Sequence, residues 1–385
     1  MSRFAFLAGG RLHISNDSKV SELKSQFAQA IRDRALAMQQ RHAWKSEGTG
    51  AQFMGAWAKP RTVDPAEMPI EISAVAHADT PSSLLYVVET PDICGLLRVE
   101  NLGLEETRLW HSNDTRIRDL SRHPAEPRLA CAVTYPAGTA NIGVLRADGG
   151  GLKEITEGDS VDMAPSWVPG KKEELVFQSA GLGRGRDGIV RGLGPFHIQH
   201  LDLERGEIET IAEDARFDFL NPRCDAEGGL YFIRRPYRTD TQPWWRLALD
   251  VLLIPFRLLW AVFQFFNFFT NIFTGKPLTS AGASSQRSLD AKRLVLWGNV
   301  IEAEKEMRKS NAGDAPDLVP KTWELVRRAS DRTETVIAKG VLSYDLLPDG
   351  GVLYSNGSAV FLRQPDGKTE RLLRHEFIVQ VIALG

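Results

Sequence analysis

The chain has 385 residues, of which 43% are hydrophobic and 25% charged, with a formal net charge of −2. That is enough for two or three average domains or one large all-β domain with a real core, and the near-neutral balance excludes a general nucleic-acid binder. Three cysteines without metal-type spacing, Cys94, Cys131 and Cys224, imply neither a disulfide framework nor a zinc site and point to a reducing compartment.

The N-terminal run FAFLAGGRLHIS (Phe4 to Ser15) reads as a strand, a Gly-Gly turn and a second strand. Its apolar stretch is too short for a signal peptide, which sets the expectation of a cytoplasmic protein. Residues 16–46 carry Val20, Leu23, Phe27, Ile31 and Met38 at helical spacing, with Asp17 or Ser18 as a cap, and predict a helical insertion.

From there the chain is a succession of short apolar or alternating runs punctuated by Gly, Pro and Asp turns, which is an all-β signal. The runs repeat. IEISAVAHADTPSSLLYVVE with CGLLRVENLGLEETRLW is one unit, and IRDLSRHPAEPRLACAVTY with ANIGVLRADGGGLKEIT the next. VDMAPSWVPGKKEELVFQS with FHIQHLDLERGEIETI is the clearest, and FDFLNPRCDAEGGLYFIRRP begins another that is interrupted and resumes at WELVRRASDRTETVI. The most compact copy is LSYDLLPDGGVLYSNGSAVFLRQPDGKTERLL. FIVQVIAL (Phe377 to Leu384) is then a lone first strand, and Phe4 to Ser15 supplies the strands that should follow it. Joining the ends gives six four-stranded units and removes exposed sheet edges.

The interruption, residues 239–322, contains the most unusual segment of the chain. Residues 242–275 are a Phe/Leu/Trp-rich run whose polar residues Arg246, Asp250, Arg257, Gln264, Asn267 and Asn271 fall within an arc of about 100° on a helix. A transmembrane helix needs about 20 predominantly apolar residues. The uncharged run Leu258 to Gly275 has 18 and still holds Gln264, Asn267 and Asn271, so the expectation is an in-plane helix rather than a span. Between Arg234 and Arg293 nine basic residues face three acids, a flank suited to anionic headgroups. Trp244, Trp245, Phe256, Trp260, Phe263, Phe266, Phe269 and Phe273 are the expected membrane contacts. Leu278 to Ser285 reads as a small-residue linker. A second helix is expected from Ser288 to Lys309, with Leu294, Trp297 and Ile301 on one side.

Pro165-Ser166-Trp167-Val168-Pro169-Gly170, followed by an apolar strand, and Asp148-Gly149-Gly150-Gly151-Leu152 with Ile155-Thr156 resemble the repeat of the TolB-like six-bladed β-propellers. Pro348-Asp349-Gly350 and Pro365-Asp366-Gly367 are partial echoes. The resemblance implies an all-β, six-bladed propeller closed by the N- and C-terminal strands, here with two helical insertions. It implies no counterpart for the hydrophobic insert, and a periplasmic role does not follow.

Catalytic constellations are thin. There is no G-x-S-x-G elbow, H-E-x-x-H or C-x-x-C. His197 and His200 lie three apart on a strand and so point to opposite faces. Gly181 to Gly194 is glycine-rich but lacks a following helix to bind an anion, and reads as a strand connection. At the mouth of a central channel the candidate ligand-binding residues are Arg116, Arg118, Asp162, Arg216, Asp218 and Asp345. Asp162, Asp218, Asn221 and Asp345 are the residues a calcium-dependent hydrolase of the lactonase type would use, although no carboxylate ring repeats from unit to unit. The expected function is a non-enzymatic, membrane-peripheral scaffold for a protein partner, with no cofactor or metal. The alternatives are that channel-mouth metal-dependent hydrolase and a soluble subunit docking its hydrophobic helix into a partner protein.

Overall fold

Tight turns every few residues leave the chain little choice but antiparallel meanders. The computed structural model describes residues 3–16, 19–46, 69–101, 103, 105–185, 188, 190–237, 294–296, 299–301 and 317–384. It opens with β1 (Arg3–Ala8), β2 (Arg11–Asn16) and β3 (Lys19–Glu22), then α1 (Gln26–Ser46). A four-stranded sheet follows, of β4 (Glu71–His77), β5 (Leu84–Glu89), β6 (Cys94–Glu100) and β7 (Glu105–Ser112). Next come β8 (Arg116–Arg122), β9 (Arg128–Thr134), β10 (Ala140–Arg146) and β11 (Lys153–Glu154), and then β12 (Ser160–Trp167), β13 (Glu174–Arg184), β14 (Val190–Leu193), β15 (His197–Asp202) and β16 (Glu207–Ala212). These two meanders are joined into nine strands by one parallel pair, Ala140 with Val161. β17 (Phe217–Cys224) and β18 (Leu230–Pro236) precede a hairpin, β19 (Leu294–Leu296) and β20 (Asn299–Ile301). β18 then pairs with β21 (Glu324–Arg328), which pairs with β22 (Glu334–Lys339). The interrupted unit therefore resumes where the sequence repeat places it. A further four-stranded sheet is β23 (Ser343–Leu346), β24 (Val352–Ser355), β25 (Ala359–Arg363) and β26 (Thr369–Arg374).

The last strand, β27 (Ile378–Leu384), pairs antiparallel with β1, with Phe6 opposite Val381 and Ala5 opposite Ile382, giving the sheet order β27-β1-β2-β3. Alternate side chains of β27 enter two separate cores. Ile378 and Val381 pack with Phe4, Phe6 and Val360, while Ile382 and Leu384 pack with Leu7, Val75 and Tyr86. Period-2 alternation with both faces covered makes this strand apolar almost throughout. The first strands of successive sheets touch in turn: β27 with β4, β4 with β8, β8 with β12, β12 with β17, and β23 with β27. β17 and β23 are bridged by side chains described below.

The chain divides into two compact units. The larger comprises Met1–Ala35, Pro65–Tyr237 and Ala303–Gly385 and holds these sheets. The smaller comprises Leu36–Asp64 and Arg238–Glu302, of which the later part of α1 and the β19–β20 hairpin are described.

Three sequence expectations are corrected. The first helical insertion does not start at residue 16: Lys19–Glu22 is the fourth strand of the terminal sheet, and Leu23 is buried in its core. The helix begins at Gln26, where the Ser25 hydroxyl accepts the Ala28 N–H at 3.2 Å, a side-chain N-cap. The Glu106 carboxylate of β7 accepts the Gln26 and Phe27 N–H groups at 3.0 and 2.7 Å. Within the expected helix Ser288 to Lys309, Leu294–Leu296 and Asn299–Ile301 form an antiparallel hairpin; β-branched Val295, Val300 and Ile301 favour that geometry. Residues 317–322, assigned to the insert, belong to the framework, since Leu318 and Val319 are buried and Leu318 N–H donates to Asn356 O at 3.0 Å.

Candidate functional site

The first strand of each sheet supplies the candidate residues, and four of these strands break register at equivalent places. Shifts fall between Ile72 and Ala74, Arg118 and Ser121, Met163 and Ser166, and Leu220 and Arg223. Asp119, Ala164 and Asn221 adopt left-handed φ of 51°, 51° and 52° at three of them. A bulge re-aims side chains and frees a backbone N–H from the ladder, and in β12 and β17 a side chain of another strand captures it. Ala164 N–H donates to Asp119 Oδ2 at 3.2 Å, and Asn221 N–H to Gln178 Oε1 at 2.7 Å. In β4 the Gln380 amide brackets Val75, accepting its N–H at 3.1 Å and donating to its O at 2.8 Å.

The Pro165-Ser166-Trp167 motif is explained by the same stitching. Trp167 Nε1–H donates to Ser121 O at 3.2 Å, His123 meets its ring edge-on at 4.7 Å, and the Arg128 guanidinium lies 5.1 Å over it. One buried indole thus ties β12 to the meander before it, through burial and a cation–π contact.

The six predicted channel-mouth residues do not converge on one cluster. Arg116 donates to Thr90 O at 2.8 Å and Pro91 O at 2.6 Å. Arg118 grips Glu89 through two bonds of 3.0 and 2.8 Å. Asp162 accepts the Ser179 hydroxyl at 2.6 Å. Arg216, exposed, pairs with Asp214 at 2.8 Å. Asp218 accepts Phe196 N–H at 2.9 Å and Arg235 Nε at 2.8 Å, both charged side chains being buried. Asp345 accepts Arg223 Nη1 at 2.6 Å, Ala383 N–H at 2.8 Å and a 3.1 Å bond to His77 Nε2. Of the residues a lactonase-type calcium site would need, Asp162, Asp218 and Asp345 are thus engaged separately, and Asn221 contributes its carbonyl to Tyr344 O–H at 2.6 Å. Among the described residues no three His, Cys, Asp or Glu side chains gather where a cation could sit.

Burial sets the electrostatics. It works to raise the Asp345 carboxyl, but the Arg223 charge, His77 and the Ala383 amide outweigh it and hold the group below the usual carboxylate range. Asp119 goes the other way: burial lifts it to about 6, against the Ala164 amide and Arg118. Burial pushes the Cys94 and Cys224 thiols up to about 11 and about 12, which makes them poor nucleophiles. Sequence reading missed Arg223, His77, Gln380 and Asp119. Their partners come from strands distant in the chain, so no local spacing announces them. Among the described residues of Gly181 to Gly194, the end of β13 pairs with β14, pinned by two Arg184–Asp159 bonds of 2.8 and 2.7 Å from Nε. His200 bonds Glu174 at 3.0 Å, an ordinary strand contact.

The expected membrane contacts Trp244, Trp245, Phe256, Trp260, Phe263, Phe266, Phe269 and Phe273 lie outside the described residues. Among the described residues no helix is long and apolar enough to cross a membrane.

Comparison with known proteins places the fold. The sequence matches no family model and no curated protein. In three dimensions the chain is similar to TolB from Acinetobacter baumannii, with a TM-score of 0.50 and 11% identity, over 99% of this chain and 66% of that one. It therefore spans just under two thirds of that TolB. It is also similar to a chain of a nidogen/laminin complex, with a TM-score of 0.53 and 8% identity, over 100% of this chain and 98% of the other. These likenesses and the meander architecture show a TolB-like β-propeller fold.

Proposed function

We propose that this TolB-like β-propeller is a non-enzymatic scaffold that sits on the cytoplasmic side of a membrane and binds a protein partner. In this reading the six four-stranded units form one ring closed by β27 and β1, the helix that begins at Gln26 and the segment 239–316 are insertions in it, and residues 242–275 lie along an anionic membrane surface. The observation that carries it is the state of the polar residues on the first strands. Arg116, Arg118, Asp162, Arg216, Asp218 and Asp345 each have an internal partner. A catalytic set leaves a nucleophile, base or ligand sphere aimed at an absent reactant; here five of the six tie strands or loops together, and Arg216, just before β17, pairs with Asp214 in its own loop. Arg118 and Arg216 are exposed, and they are the two of the six able to meet a partner as well.

Two features support the attachment. The insert departs after Tyr237, whose N–H donates to Arg216 O at 2.8 Å, next to a candidate contact residue. Its sequence combines a wide apolar face with a basic flank, the combination that drives interfacial binding. A structural neighbour from a protein–protein complex is in keeping with the scaffold role.

Fractionation of cells expressing the full chain and a version lacking residues 242–275 tests the proposal. The full chain should sediment with membranes and the shortened one should stay in the supernatant. A full chain found instead in a soluble complex that dissolves on deletion would mean that the hydrophobic segment docks into a protein. Equal solubility of both forms would remove the membrane assignment.

A further inference from the structure

Where the chain passes from β26 to β27, three rings meet. Phe6 of β1 and His13 of β2 stand opposite each other in the ladder and stack at 5.0 Å, 16° from parallel. His375, on the connection, meets Phe6 edge-on at 5.1 Å and His13 at 4.7 Å. His13 is buried. Phe6 belongs to the core between the last two sheets, with Phe4, Val360, Ile378 and Val381. The connection itself is pinned by two backbone bonds. His375 N–H donates to Ser358 O at 3.0 Å, and Ile378 N–H to Gly357 O at 2.9 Å. Between them Phe377 adopts a φ of 56°, a left-handed value that strains a bulky residue. The segment is therefore held down against local strain.

The charges around His13 come from three sides. Glu22 stands opposite it in the β2–β3 ladder and, with the Ala8 carbonyl, favours a charge on the ring. Burial opposes that charge most, followed by His375 on the connection and Arg11 on its own strand. Phe6 is the uncharged neighbour on β1. Glu22 is itself paired with Arg11 at 3.1 Å, so this acid is not reserved for the imidazoles. The balance holds His13 below the ordinary imidazole range. His375 Nδ1 lies 2.9 Å from Glu376 O. A carbonyl only accepts, so Nδ1 carries the proton of the neutral ring and Nε2 takes up the next one. Arg374 and Glu376, which flank His375 in sequence, carry opposite charges.

We propose that His13 and His375 form an acid-sensitive latch on the seam between the last two sheets. Neutral, the two rings pack and hold residues 375–377 down; charged, they repel each other and the connection lifts. The sign follows from linkage. A buried imidazole that resists protonation favours the closed form above the free value of about 6.5, and that preference is lost as pH falls below it. The opening stays local, because Ile382 and Leu384 at the far end of β27 are anchored in a different core. The propeller thus gains a joint, at the junction of its two chain ends, that responds to pH near neutrality.

Hydrogen exchange on the full chain, corrected for the intrinsic pH dependence of amide exchange, tests this at about pH 7.5 and about pH 5.5. Protection of the His375 and Ile378 amides should fall by at least about tenfold at the lower pH, with β12 and β13 unchanged. His13→Phe with His375→Phe keeps a ring stack that cannot charge, and should retain the protection at both pH values. The His13 ring signal of the wild type should titrate in NMR below the free-imidazole value, over the range in which protection is lost. If the double variant does not fold, the wild-type exchange and titration still decide. Protection in the wild type that is indifferent to pH, an equal loss in the double variant, or a His13 that titrates at or above the free value would each overturn the latch.

Discussion

Asp345 and His77 stand 268 residues apart in sequence and meet at 3.1 Å. The same carboxylate takes Arg223 from β17 and the Ala383 amide from β27, so a single buried side chain on β23 ties together the first strands of four sheets. Its charge is set against full desolvation by a cation, an imidazole and an amide, which is the arrangement a buried ion needs.

Asp345→Ala should therefore cost about 3–5 kcal/mol in urea unfolding at neutral pH, because it strands Arg223 and the Ala383 N–H. The carboxyl is held below its ordinary value despite burial, by Arg223 first and His77 next. Its contribution is thus complete above the unfolded carboxylate range and disappears as pH falls through the depressed value. Asp345→Asn should flatten the acid limb of the stability–pH curve below about pH 4. An unchanged acid limb would mean that the pair adds nothing.

Asp119 should behave in the opposite sense. Burial raises it to about 6, so the folded state binds a proton more tightly than the unfolded one, and stability falls as pH rises from about 4 to about 6. Asp119→Asn keeps an acceptor for the Ala164 N–H and tolerates the left-handed φ. Melts of the two proteins should cross, with the variant more stable by about 1 kcal/mol above pH 7 after allowance for partial exposure and the gain gone near pH 4.

The terminal pairing predicts an unusually costly C-terminus. β27 buries Ile378, Val381, Ile382 and Leu384, each worth about 1.5–3 kcal/mol, against a typical total of about 5–15 kcal/mol. Ile382→Ala should lose about 2–5 kcal/mol, and removal of residues 377–385 should leave the protein insoluble. A truncated chain that melts like the parent would show that the ends do not complete one sheet.

The start of α1 depends on a residue about 80 positions away. Glu106→Gln removes the negative charge facing the Gln26 and Phe27 amides and should cost about 0.5–2 kcal/mol. Gly95→Ala would place a methyl 2.9 Å from the Phe27 ring and loosen the same contact. Faster hydrogen exchange at residues 26–28 in both variants, with the β-sheet core unaffected, is the expected pattern.

Much of this was legible in the chain itself. Pro-Gly and Asp-Gly turns mark the strand ends because Gly170, Gly350 and Gly367 carry φ of 75°, 81° and 91°, where only glycine is unstrained. The pairing of β27 with β1 followed from two incomplete ends. Where reading failed, short-range patterns were ambiguous. Val20 and Leu23 sit three apart, which suits a helix, yet they belong to a strand and the residue after it. The true cap, Ser25, is chosen by Glu106 and by Phe27 packing on Gly95, neither of which is local. The candidate site fared similarly. Asp218 and Asp345 were read as channel-mouth ligand contacts and are instead buried, and their partners Arg235, Arg223 and His77 are selected by tertiary geometry that spacing does not encode.

The proposed attachment to a membrane through residues 242–275 is open to direct measurement. Purified full-length protein should pellet with phosphatidylserine-containing vesicles at about 0.1 M salt, and less so with neutral ones. Phe263→Asp with Phe266→Asp should leave it in the supernatant, since each buried aromatic contributes about 1.5–3 kcal/mol and a charge in its place opposes insertion. A wild-type chain that stays soluble and monomeric beside those vesicles, without detergent, would contradict the account.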